Sequence, residues 1–145
     1  MFSFSITIPV STPPKLKQFA RRLLDYEVAP GQAADAKETP AFRVCEKLRG
    51  PLGKLMGVGG FRSLLARSLA LAGAEVPWLG TLQIKADGSL EGLNESEVKL
   101  DWSATAEGEV VLVAQLLGLL VTFIGAGLTQ RLLHDVWPEL DELNF

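Results

Sequence analysis

At 145 residues the chain is sized for one domain, spanning 1–145, and is long enough to bury roughly two thirds of its unfolded surface without a disulfide or a metal. An apolar fraction of 48% against 21% charged residues excludes disorder of the whole chain, and a single cysteine, Cys45, excludes an intramolecular disulfide. Net charge is −3 but uneven: residues 1–72 carry eleven Lys or Arg against five Asp or Glu, and residues 73–145 carry three against twelve. The expected consequence is that the two halves pack together, with a basic face toward an anionic partner as the sharper alternative.

The N-terminus has no basic leader and too short an apolar run for a secretory signal, so a cytoplasmic location is expected. Ser3 to Val10 alternates, with Phe4, Ile6, Ile8 and Val10 on one face, which predicts a half-buried strand. Pro13 and Pro14 stop it and open a helix, since proline suits a first turn where its missing N–H is not needed. Leu16, Phe19, Ala20, Leu23, Leu24 and Tyr26 form the expected buried stripe.

Residues 29–38 are small, polar and rich in helix breakers, the pattern of a mobile loop. Thr39 and Pro40 make an N-cap and first-turn pair, and Phe42, Cys45, Leu48, Leu52 and Leu55 continue a helical stripe through Met56, with a kink or break expected at Gly50-Pro51. Gly57-Val58-Gly59-Gly60 is expected to separate this from a third helix, Phe61 to about Gly73, which Pro77 ends. Thr81 to Lys85, an Asp87-Gly88 turn of the kind that closes a two-residue hairpin, an extended run near Leu90, and the alternating Glu97 to Trp102 together predict a small antiparallel sheet.

The chain then carries twenty-one residues without a charge, Val110 to Gln130, about 31 Å as a helix. Ser103 or Thr105 can cap it, Glu107 and Glu109 suit its positive end, and Arg131 and His134 its negative end. Running to Val136 unbroken it would be about 46 Å long, so either Gly125-Ala126-Gly127 bends it or its end meets another subunit. Hydropathy permits a membrane span, yet there is no basic cluster at its flanks, and the other elements each need a partner for an apolar face. The favoured reading is a soluble, buried central helix, with a membrane anchor over 110–128 as the disfavoured alternative. The fold expected is therefore α+β: three N-terminal helices and a small antiparallel sheet packed around a long apolar C-terminal helix.

No family motif is recognisable, and no catalytic, cofactor or metal constellation stands out. His134 is the sole histidine and reads as a helix-end cation, and the acidic hairpin region does not fit a calcium loop. Cations crowd the first two helices, but the acidic second half and the missing recognition motif argue against nucleic acid. The glycines before Phe61 leave backbone N–H groups for an anion, which makes Gly59, Gly60 and Arg62 a candidate anion site. On the long helix, Gln115, Gly118, Thr122, Gly125 and Ala126 lie on one small, weakly polar seam where another backbone can approach. The function expected is a non-catalytic interaction or regulatory module acting by self-association through that seam or by docking a protein partner. A ligand-binding domain or enzyme with a pocket near Arg62, Trp78 and Trp102 is the remaining alternative.

Overall fold

The computed structural model describes residues 14–27, 40–91 and 102–138. In chain order they form α1 (Pro14–Glu27), α2 (Pro40–Glu75), a 3-10 turn (Pro77–Thr81), β1 (Gln83–Ile84), β2 (Leu90–Glu91), α3 (Trp102–Ile124) and α4 (Ala126–Val136). The fold is mostly helical, which corrects the α+β expectation. Among the described residues the extended segments amount to a two-residue ladder, Gln83 opposite Glu91 and Ile84 opposite Leu90, too short to make a layer of its own. Trp102, expected at the end of a strand, opens α3 instead. The expected strand at 3–10, the loop at 29–38 and residues 97–101 lie outside the described residues.

The expected break at Gly50-Pro51 is also corrected. Backbone angles stay helical through Pro51 and leave the helix at Gly57 alone, with φ 79° and ψ 161°. Proline costs one internal hydrogen bond, which the buried Leu48 and Leu52 on either side offset, whereas Gly57 takes a conformation essentially restricted to glycine. Val58, Gly59 and Gly60 already belong to the next helical turn.

That one residue reverses the chain. A straight helix would put Phe42 and Val76 about 51 Å apart, yet both pack against the same buried cluster of Leu69, Ala72, Leu79, Leu82, Val111 and Leu112. The start of α3 meets both ends of α2. Glu109 Oε1 accepts the Ala41 N–H at 2.9 Å, and a Cβ on Gly108 would collide with the indole of Trp78. Thus α2 is a helical hairpin, 40–56 followed by 58–75, and Glu109 caps its first segment from another helix.

The apolar helix is the hub. Val110, Val113, Ala114, Leu116, Leu117 and Leu120 enter the main core with Phe19, Leu23, Leu48, Leu52, Phe61 and Leu65, while Val111 and Leu112 enter the second cluster on the other side. Each such buried leucine contributes roughly 1.5–3 kcal/mol before chain entropy is subtracted. Of the two ways of accommodating a helix this long, the chain adopts the bend: Gly125, at φ 90° and ψ 157°, separates α3 from α4.

The short hairpin leans on α2. Gly88 donates to the Lys85 carbonyl and Lys85 N–H to the Ser89 carbonyl, so the loop has three residues, Ala86 to Gly88, with glycine at positive φ, and not the two expected. A Cβ on Gly88 would lie 3.0 Å from the Phe61 ring.

Candidate functional site

Among the described residues five large apolar side chains are exposed: Tyr26, Leu55, Val58, Phe123 and Leu128. Four of them lie within three residues of Gly57 or Gly125. Phe123 is the most open, at 63%. Leu55, expected in the buried stripe, is 50% exposed, because Met56 beside it takes the core-facing position.

Two helical paths place these glycine turns at the same end of the molecule. Ala41 touches Glu109, and from that contact Gly57 and Gly125 are each sixteen residues on, about 24 Å along their helices. Coming back, Lys47 Nζ sits 5.9 Å from the Trp137 ring centroid, and from there Gly57 and Gly125 are about 15 and 18 Å away. Met56 and Ile124, the residues before each glycine, pack against the same core cluster. Leu55 and Val58 at one glycine turn, and Phe123 and Leu128 at the other, therefore lie toward the same end of the bundle. Trp78 and Gly108 mark the opposite end.

The expected seam is only partly free. At Gly118 an added Cβ would lie 3.1 Å from Leu16 Cδ1, so α1 uses the close approach that glycine permits. Gln115 and Gly125 are half-buried, whereas Thr122 and Ala126 are exposed. Thr122 Oγ1 donates to the Gly118 carbonyl at 2.9 Å, so its hydroxyl already has a partner within the helix.

Gly59 and Arg62 are exposed and Gly60 is half-buried against Met56, all in the first turns of the second segment of α2. Arg62 and Trp78, two of the three residues expected near a pocket, are separated by about 24 Å of chain running from one end of the bundle to the other. The side chain of Trp102 lies outside the described residues. Among the described residues no group of three His, Cys, Asp or Glu is placed to hold a metal ion. His134 is exposed in the last turn of α4. Burial, with lesser repulsion from Glu46 and Glu109, pushes the Cys45 thiol up to about 12, far from a reactive thiolate.

Sequence reasoning missed Glu27, which is 5% exposed at the end of α1. Its Oε2 accepts the indole N–H of Trp137 at 2.8 Å and pairs with Lys47 Nζ at 2.5 Å, while its carbonyl accepts Arg43 Nη1 at 2.8 Å. Lys47 also stands over the Tyr26 ring, 5.5 Å from its centroid. One carboxylate thereby ties α1, α2 and the end of α4 together, a structural clasp with its polar groups satisfied.

Ion pairs explain much of the charge asymmetry. Lys17 and Arg21 meet Glu107, and Arg49 meets Asp87 besides Glu46, so three pairs join the basic first half to the acidic second half. The helix stretch Glu107–Ile124 is long and apolar enough to cross a membrane by length and composition, and 56% of it is buried inside the protein.

No known family model matches the chain, and no characterised protein or solved structure is significantly similar to it.

Proposed function

We propose that the protein is a non-catalytic docking module whose contact surface is the apolar end of the bundle, Leu55, Val58, Phe123 and Leu128. The observation that carries this reading is the gathering of these exposed side chains at two glycine turns, since soluble domains rarely leave such a patch without a use. Gly118, the centre of the expected seam, is a weaker candidate for an intermolecular contact because Leu16 already occupies its open side. The reading of α3 as a membrane span has its length and composition in support. Against it stands the burial of Val110 to Ala114, Leu116, Leu117 and Leu120 by the protein's own helices.

A photo-crosslinking residue at position 123 in the full chain, expressed in cells, tests the docking reading, with position 75 at the opposite end as control. Adducts at 123 and not at 75 are expected. None at either position, or equal yields at both, would overturn it.

A further inference from the structure

The apolar end has a charge pattern of its own. Between Glu46 and Glu75 the chain has no acidic residue, and between Glu109 and Asp135 again none. In the same stretches Lys54, Arg62 and Arg131 stand exposed within about two helical turns of Gly57 or Gly125. Unlike Lys17, Arg21, Lys47 and Arg49, they make no ion pair with any described residue. Glu75, Glu107 and Glu109 lie toward the other end, and the carboxylate that comes nearest through the hairpin, Asp87, is engaged by Arg49.

We propose that this end docks on the surface of an anionic lipid bilayer, with Val58 and Phe123 entering the interface and Lys54, Arg62 and Arg131 meeting lipid phosphates. This rests on the docking reading above and names its partner. An apolar crown rimmed by cations is the pairing that interfacial binding uses, apolar area for depth and charge for attraction to acidic headgroups. A second copy fits less well. A two-fold contact through this end would set Lys54, Arg62 and Arg131 against their own counterparts, and neither stretch supplies a carboxylate to neutralise them. The long helix need not leave the core: only the end of α3, the Gly57 turn of α2 and the start of α4 touch lipid.

Co-sedimentation of the full chain with vesicles tests this. Vesicles of phosphatidylcholine with roughly a third phosphatidylglycerol should bind at least about tenfold more protein than pure phosphatidylcholine, and added salt should weaken the difference. Val58→Asp with Phe123→Asp should abolish binding to both, whereas Lys54→Glu with Arg62→Glu should remove only the anionic preference. All four sites are exposed, and circular dichroism establishes that the variants fold; should the aspartate pair not fold, the glutamate pair carries the test. Absence of anionic preference, binding untouched by the glutamate pair, or a dimer that Phe123→Asp dissociates would overturn the lipid assignment. If vesicles are not bound while crosslinks at 123 persist, docking stands with a different partner; if both fail, both readings fall.

Discussion

Replacing Gly57 by alanine tests the hairpin on which the apolar end depends. At φ 79° and ψ 161° a side chain costs roughly 1–3 kcal/mol in backbone strain, and nothing else lies within 4 Å of an added Cβ, so the cost comes from the backbone alone. Against it stands about 0.4–1 kcal/mol gained by stiffening the unfolded chain. The net expectation is a loss of about 1–2 kcal/mol, or a fall in Tm of roughly 2–8 °C for a chain of this length. Gly53, four residues earlier, is the matched control. It is helical with open space around its Cβ position, so Gly53→Ala should stabilise by roughly 0.5–1 kcal/mol. Urea unfolding of both variants, followed by circular dichroism, reads the sign directly. Opposite signs are expected. A gain at both positions would mean that α2 runs straight through Gly57, and the argument for one apolar end would be refuted.

Three further outcomes follow from the same contacts. Trp137→Phe removes both the N–H that Glu27 accepts and the five-membered ring of a fully buried side chain, and should cost at least about 1.5–3 kcal/mol in urea unfolding; a change near zero would show that the clasp contributes nothing. The Cys45 thiol should resist alkylation in the native protein at pH 8 and react on unfolding, because burial holds it near 12; rapid native labelling followed by mass spectrometry would contradict that. Hydrogen bonds from the Ser89 hydroxyl and N–H hold the Asp87 carboxyl below its ordinary range. The stability this adds is present above the unfolded pKa and is lost as pH falls through the folded one; Ser89→Ala should raise the Asp87 pKa in an NMR titration, and no shift would refute the assignment.

The sequence was informative where one face or one whole element decides the outcome. The stripe Phe19, Ala20, Leu23 and Leu24 faces the core as its spacing implies, and the uncharged run from Val110 became a helix buried on two sides because its apolar residues surround it. Local signals misled where tertiary packing outweighed them. Pro51 reads as a breaker, but flanking buried leucines hold its helix, while the reversal lies at Gly57, one of the three glycines in the segment expected to separate the two helices. The Asp87-Gly88 turn between Thr81 to Lys85 and Leu90 suggested part of a sheet, yet only two residues on each side pair, since α2 and α3 supply most of the buried surface there.

The candidate site was less legible. Leu55 and Met56 both satisfy a helical stripe, and only the packed structure tells which one is left outside. Glu27 meets Trp137 across 110 residues, a pairing without any local signature. The proposed contact surface joins residues near 57 with residues near 125, and only the equal helix lengths from Ala41 and Glu109 bring them together.

The distance between positions 58 and 123 therefore tests the account most directly. Cysteines introduced at these two exposed sites can carry nitroxide spin labels while the buried Cys45 stays unlabelled. With helix diameters of about 10–12 Å, pulsed electron resonance should give one narrow distribution below roughly 30 Å. A separation beyond roughly 40 Å, or a broad spread without a short component, would contradict the existence of a single apolar end.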